Sequence, residues 1–137
     1  MYRFLDDIVI GDIVFEATGK DLNELFESCG LATSESMVDI KDLGNKIKKE
    51  IKVKNEKVDL LLFDFLDEII FLKDSEQLLF KEYKVNISNG KLKCVAYGEK
   101  LDMNKHDLRR DVKAVTMHLF KVEKVNNKWK ATVVLDI

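Results

Sequence analysis

A tight hairpin turn is the feature of this sequence that most restricts its fold. Ser88-Asn89-Gly90 lies between two strand-like segments, QLLFKEYKVNI and KLKCVAYGEKL. Asn-Gly is the preferred pair for the centre of a two-residue hairpin turn. A second turn is predicted at Asn126-Asn127, between DVKAVTMHLFKVEKV and the closing segment KWKATVVLDI. Since such turns join antiparallel neighbours, the second half of the chain is predicted to be mainly antiparallel sheet.

Two segments of the first half have helical spacing instead. Asp21 followed by Glu24 forms a capping-box pattern, and apolar residues then recur on one helical face as far as about Glu35. Residues 57–73 predict a second helix, whose acidic residues form only a narrow stripe. A helix with so little polar surface must be covered on most sides. We therefore place it at the centre of the core.

These patterns define a fold class. A first strand is predicted at 8–17, and another follows in KIKKEIKVKN. The 137 residues are 46% hydrophobic, which is enough for a real core. We predict a compact α+β fold, with about six mostly antiparallel strands and two helices packed on the sheet. No linker or repeat interrupts the sequence, so 1–137 is predicted to be a single domain.

The lysines of KIKKEIKVKN alternate with Ile and Val. Lysines on such a strand commonly protect a sheet edge from pairing with other chains. The alternative is an RNA-binding ribbon. That alternative is less favoured because no aromatic residue interleaves with the lysines, as base stacking would require.

Composition narrows the class of protein. The formal net charge is −2, whereas a domain that holds nucleic acid by itself normally has a basic surplus. No stretch is apolar enough to cross a membrane, and MYRFLDD is too acidic for a signal peptide. Cys29 and Cys94 are isolated, which predicts reduced thiols in apolar surroundings. The expected location is the cytoplasm.

Standard catalytic motifs are absent from the sequence. It contains no Gly-x-Ser-x-Gly, no phosphate-binding glycine loop and no His-Glu-x-x-His. The two histidines are His106, in a polar loop, and His118, in a strand-like segment. A nucleophilic enzyme is therefore not expected.

Acidic residues in unusual places are more informative. Asp12 interrupts an apolar strand, Asp136 closes another, and Ile137 adds a terminal carboxylate. Two charges about 5 Å apart repel by roughly 3 kcal/mol at an effective dielectric of about 20. If the strands bring these groups together, a lysine or a cation such as Ca²⁺, Mg²⁺ or Mn²⁺ must offset them. The other interpretation is that Asp12 sits at a bulge and Asp136 faces solvent.

Four segments in order carry a family resemblance: YRFLDD…GDIVFEATGKDLNELFE, DLLLFDFLDEIIF, YGEKLDMNKHDLRRDVKAVTMH and TVVLDI. Together they span nearly the whole chain and resemble the archease family. Archease accompanies the RNA ligase that joins 2′,3′-cyclic-phosphate or 3′-phosphate ends to 5′-hydroxyl ends. The resemblance implies a compact α+β fold and a non-enzymatic role. The protein would promote guanylylation of the ligase's active-site histidine, and so multiple turnover in tRNA splicing and RNA repair.

The resemblance also implies particular residues. The family's metal ligands fall on Asp12, Asp136 and Ile137, and the lysine of its KA-x-T motif falls on Lys113. The cofactor would be a divalent ion (Ca, Mg or Mn). The partner would be an RNA-splicing ligase protein, with tRNA or other RNA reached only through it and no role for DNA or membrane. Many members read Asp-His-Thr-Ala-Asp near the start, whereas this chain reads DDIVIGD, which leaves the roles of Asp6 and Asp7 open.

Two other functions remain as alternatives. A general chaperone-like interaction module would need an exposed apolar surface. A metal-dependent phosphoester hydrolase is supported only by the carboxylates. The lack of a second dense set of ligands counts against it.

Overall fold

A computed structural model describes residues 1–5 and 11–137. In this part of the chain the strands are β1 (Tyr2–Leu5), β2 (Asp12–Gly19), β3 (Ile47–Lys54), β4 (Leu78–Ser88), β5 (Lys91–Lys100), β6 (Ala114–Val125) and β7 (Lys128–Asp136). The helices are α1 (Leu22–Met37) and α2 (Val58–Glu76), with a 3-10 turn at Ile40–Asp42. The strands form two antiparallel sheets, ordered β1-β2-β7-β6 and β3-β5-β4.

The core lies where the helices meet the sheets. Both helices contact strands of both sheets, so the apolar faces of the sheets are turned toward them. Phe15 and Val133 come from the four-stranded sheet, Ile51 from the three-stranded sheet, and Phe26 and Phe65 from α1 and α2. All five are at most 2% exposed. The predicted central position of the second helix agrees with the burial of Phe65.

The first helix begins much as its capping-box pattern predicts. The Asp21 Oδ1 atom accepts a hydrogen bond from the Glu24 N–H at 2.9 Å. Glu24 reaches back to the N–H of Lys20 (3.2 Å), one residue before the cap. The bond to Asp21 satisfies a donor at the helix start that has no partner within the helix, and the bond to Lys20 fixes the chain just before it.

The predicted turns are both present. Asn89 and Gly90 have φ values of 51° and 74°, and Asn126 and Asn127 have φ values of 52° and 64°. Positive φ at both central residues is the type I′ geometry, which suits the twist of the joined strands. The lysine-rich β3 lies at the edge of its sheet, as predicted.

The α+β class is confirmed, and the strand arrangement adds to the prediction. The described residues form seven strands in two sheets, rather than about six strands in one sheet. The additional strand is β1, which has only four residues. The part of the predicted strand 8–17 that precedes Gly11, together with Asp6 and Asp7, lies outside the described residues. Neither described helix is long and apolar enough to cross a membrane.

Strand β6 has a pronounced bulge. Thr116 pairs with Val134 and Lys121 pairs with Thr132, so four residues of β6 lie opposite a single residue of β7. Within this bulge Leu119 has a φ of 57° and is 48% exposed. A bulky residue with positive φ is a genuine conformational outlier.

Candidate metal-carboxylate site

The register of three neighbouring strands brings the sequence-predicted acids together. Asp12 of β2 lies opposite Asp136 of β7, and Asp136 lies opposite Ala114 of β6. The N–H of Lys113 donates to the carbonyl of Asp136 at 2.8 Å. The three positions at 12, 113 and 136 therefore meet at one end of the four-stranded sheet. Ile137 continues from Asp136 and packs partly against the core.

The two aspartates form a like-charge pair. Directly opposite residues project from the same face of a sheet, with Cβ atoms about 4.5–5.5 Å apart, and like charges there are destabilising. Neither side-chain carboxylate has a hydrogen-bond or ion-pair partner among residues 1–5 and 11–137. Asp136 is exposed and Asp12 is half-buried. A cation bound between them would remove the repulsion.

The donor atoms suit a hard divalent ion. Two carboxylates and the main-chain carboxylate of Ile137 would supply only oxygen, the ligand atom that Ca²⁺, Mg²⁺ and Mn²⁺ prefer. In the part of the chain that the structure describes, no three His, Cys, Asp or Glu side chains are placed to share a metal ion. Asp12 and Asp136 therefore need a main-chain oxygen and water to complete a coordination shell.

Lys73 of α2 fixes the segment that leads into Lys113. Its Nζ atom donates to Asp111 Oδ1 at 2.9 Å and to the Val112 carbonyl at 2.7 Å. Burial alone would lower the pKa of Lys73, but hydrogen bonds to Asp74 and Asp111 outweigh it and raise the pKa above its ordinary value. This anchor fixes the segment immediately before β6, which contains Lys113.

The end of α1 holds the same loop from the other side. The N–H of Arg109 donates to the carbonyl of Met37 at 2.9 Å, and the N–H of Arg110 donates to that of Ser36 at 3.2 Å. Asp12, Arg109 and Arg110 border one groove of about 310 Å³. Two arginines therefore share this groove with the first of the carboxylates.

A buried cluster around Glu99 organises the first part of the loop between β5 and β6. The sequence analysis did not predict this cluster. Glu99 Oε1 accepts from Lys105 Nζ at 2.7 Å, from the Gly44 N–H at 2.8 Å, and lies 3.0 Å from His106 Nε2. The His106 Nδ1 atom accepts from the Asp102 N–H at 2.9 Å. Nε2 is therefore the nitrogen that carries the proton and donates to Glu99. Hydrogen bonds from Lys105, His106 and Gly44 lower the pKa of Glu99 to about 2.

This cluster refines what the sequence indicated for His106. The residue does lie in a polar loop, but its side chain is fully buried, and hydrogen bonds at both ring nitrogens offset the cost of that burial. The cluster links the end of β5 to the turn before β3 and to the loop before β6. A signal was present in the spacing of Glu99, Lys105 and His106 in GEKLDMNKH, although spacing alone does not show that the loop folds back.

Comparison with known proteins decides the family. The model of the Archease protein family (MTH1598/TM1083) matches residues 2–137. The protein belongs to the archease family. "Protein archease" of Pyrococcus abyssi is 37% identical over 131 residues, covering 92% of this chain and 92% of the relative. That of Methanosarcina barkeri is 35% identical over 141 residues, covering 99% and 95%.

Solved structures agree with the family and the fold. The solution structure of protein 1598 of Methanobacterium thermoautotrophicum superposes with a TM-score of 0.87 at 36% identity, covering 99% of this chain and 98% of that one. The crystal structure of an archease from Thermotoga maritima, described as a possible chaperone, has a TM-score of 0.68 at 23% identity, covering 94% and 93%. This second archease supports the fold alone.

Proposed function

We propose that this archease is a divalent-metal-binding activator of an RNA-splicing ligase and is not itself an enzyme. It promotes guanylylation of the ligase's active-site histidine, and through it multiple turnover in tRNA splicing and RNA repair. The observation that carries the proposal is the pairing of Asp12 with Asp136 across two strands, beside Lys113. A carboxylate pair with one exposed and one half-buried member, and without a partner among the described residues, is suited to act on something outside the chain.

Each residue has a role in this proposal. Asp12, Asp136 and the main-chain carboxylate of Ile137 would hold one Ca²⁺, Mg²⁺ or Mn²⁺. Such an ion supplies positive charge beside the phosphates of the nucleotide. Lys113 is exposed, and the hydrogen bond from its main-chain N–H to the Asp136 carbonyl holds this residue at the edge of the site. It would contact the nucleotide phosphates at the ligase and favour the charge that develops during transfer.

The contacts that hold the loop around Lys113 give this residue a fixed position, which suits a role in stabilising charge at the ligase. The loop before β6 is held by Lys73 from α2, by backbone bonds to the end of α1 and by the Glu99 cluster. Positioned charges act better than mobile ones because they need little reorganisation when the reaction occurs.

A guanylylation time course tests the proposal. Purified ligase is incubated with radiolabelled GTP and divalent ion, without RNA, and with wild-type protein, Lys113→Ala, Lys128→Ala or no addition. Lys128 is exposed in β7 and is a matched control for the loss of one lysine. We expect wild type and Lys128→Ala to accelerate guanylylation equally, and Lys113→Ala to lose about a hundredfold of that acceleration.

The same preparation separates the alternatives. A folded Lys113→Ala protein that activates as well as wild type would remove this lysine from the mechanism. Equal solubilisation of unrelated client proteins by both variants, without ligase activation, would favour the chaperone-like module. Hydrolysis of a phosphodiester by the protein alone would favour the hydrolase.

A further inference from the structure

The outer surface of the three-stranded sheet concentrates lysines that are far apart in the sequence. Strand register aligns its side chains in four rows: Lys48–Tyr97–Glu82, Glu50–Val95–Lys84, Lys52–Lys93–Asn86 and Lys54–Lys91–Ser88. We call these twelve residues the lysine face. The alternate residues of the same strands, such as Ile51, Tyr83 and Cys94, are buried toward the helices. The lysine face therefore points away from the core, and each of its six lysines is exposed.

The charge of the lysine face is opposite to that of the chain. Its six lysines against two glutamates leave a formal charge of +4, while the whole chain carries −2. The rest of the chain therefore carries a formal −6. A net charge computed from the sequence conceals this separation.

Two rows place lysine directly against lysine. Lys52 lies opposite Lys93, and Lys54 lies opposite Lys91. Like charges in these positions destabilise a sheet. Of the six lysines only Lys52 has an ion-pair partner within the described residues, namely Glu50 at 2.9 Å. A hydrogen bond from Lys52, together with the charges of Lys93 and Lys48, lowers the pKa of Glu50.

The outer surface of the other sheet provides a contrast within the same protein. There Arg3 and Lys130 both pair with Glu16, and Lys121 pairs with Glu123. Arg3, Lys121 and Lys130 on that sheet are thus neutralised by the chain's own carboxylates. The lysine face is not a general consequence of a lysine-rich composition.

We infer that the lysine face binds the phosphate backbone of single-stranded RNA. Lysines two residues apart on a strand are about 6.6 Å apart, and those on neighbouring strands about 4.8 Å apart, so the array follows an extended polyanion. The choice of RNA rather than DNA as the ligand rests on the proposed function. The face offers no free aromatic ring for base stacking, because Tyr97 is half-buried beneath Lys84 at 5.3 Å. The contact is therefore independent of base sequence.

An anionic membrane is the less suitable occupant. Stable attachment to a lipid surface needs an apolar group that inserts, in addition to basic charge. Val95 and Tyr97, the apolar residues of the face, are both half-buried. The overall negative charge of the chain keeps the RNA contact weak in isolation. Its proposed effect is to hold the substrate strand close while the ligase binds the RNA ends.

Salt-dependent binding tests this inference without the ligase. A fluorescent RNA of mixed sequence, about 20 nucleotides long, is titrated in anisotropy experiments between about 50 and 200 mM KCl. If four lysines contact phosphates, the logarithmic salt slope should be about −3, a loss of about 50-fold in affinity over this range. Lys52→Gln/Lys93→Gln should reduce the slope to about −1.4. Lys121→Gln/Lys130→Gln, which removes the same charge from the other sheet, should leave it unchanged.

Four readouts bear on the outcome. The Lys52→Gln/Lys93→Gln melting temperature should not fall, since relief of the like-charge pair offsets the loss of the exposed Lys52–Glu50 ion pair. Equal loss of RNA binding in both double variants, or no binding by wild type at about 50 mM KCl, would overturn the inference. Tighter binding to phosphatidylserine vesicles than to RNA would assign the face to a membrane. Wild type and Lys52→Gln/Lys93→Gln should accelerate RNA-free guanylylation equally. The RNA-binding experiment therefore tests the lysine face separately from the proposed activator role.

Discussion

Replacing Asp136 with Asn should change stability in opposite directions in the presence and absence of a divalent ion. Asp136 faces Asp12 across the strand pair, and no other described residue neutralises either carboxylate. Removing one charge relieves a repulsion of about 0.5–1 kcal/mol for a partly exposed cross-strand pair. With an unfolding entropy of about 2.1 cal/mol/K per residue, 137 residues convert 1 kcal/mol into about 3.5 °C. The variant should therefore melt about 2–3 °C higher than wild type in EDTA.

Addition of the ion should reverse this order. An ion at about 100 times its dissociation constant stabilises the folded state by about 2.7 kcal/mol, or about 9 °C here. Wild type should gain this shift, whereas the variant should lose most of it because one of two side-chain ligands is neutral. Calorimetric melting with EDTA, Ca²⁺, Mg²⁺ or Mn²⁺ measures both effects.

A control variant distinguishes the pair from a general charge effect. Asp67→Asn removes one exposed carboxylate from α2 and should follow wild type under both conditions. The reasoning is refuted if Asp136→Asn lowers stability in EDTA, or if the ion stabilises Asp136→Asn as much as wild type.

Two further predictions concern the supporting structure. Because the pKa of folded Glu99 is lowered from 4.5 to about 2, its stabilising effect is complete above pH 4.5 and lost as the pH falls toward 2. Acid titrations of unfolding free energy should show a loss of at most about 3 kcal/mol across that window for wild type, and a smaller loss for Glu99→Gln. Leu119→Gly should raise the unfolding free energy by about 1 kcal/mol, since glycine accepts the φ of 57° without strain. Met117→Gly, in the same bulge at ordinary φ, should lower it by about 0.5–1 kcal/mol, and the opposite pattern in denaturant unfolding would contradict the strain argument.

Local signals in the sequence predicted much of the fold. The turns at Asn89-Gly90 and Asn126-Asn127 depend on residues that tolerate positive φ, a property visible without tertiary structure. The start of α1 likewise follows from Asp21 and Glu24. Strand β1 has four residues and little alternation, so only its pairing with β2 reveals it. The division into two sheets also depends on pairing between distant segments.

The candidate site could be predicted only in part from the sequence, because it too depends on pairing between distant segments. Asp12 and Asp136 can be identified in the sequence as charged residues in apolar strands. That they lie opposite each other is known only from the register of β2 and β7. The Glu99–His106 contact and the Lys52–Lys93 pair required a folded loop and a cross-strand register, respectively. Neither the loop conformation nor the cross-strand register can be read from a single sequence. The net charge of −2, which is summed over the whole sequence, indicated against nucleic-acid binding and so did not reveal the lysine face that the strand register assembles.

The central claim, a metal-carboxylate site that activates the ligase, is tested most directly by adding one glycine after Ile137. The extension moves the terminal charge about 3.3 Å and leaves a neutral carbonyl where a carboxylate stood. Calorimetric titration with divalent ion and the guanylylation time course are measured on the extended protein, on wild type and on Ile137→Val. The account predicts that the extension weakens ion binding and activation together, while Ile137→Val, which keeps the main-chain carboxylate, retains both. An extended protein that binds the ion and activates the ligase as wild type does would contradict it.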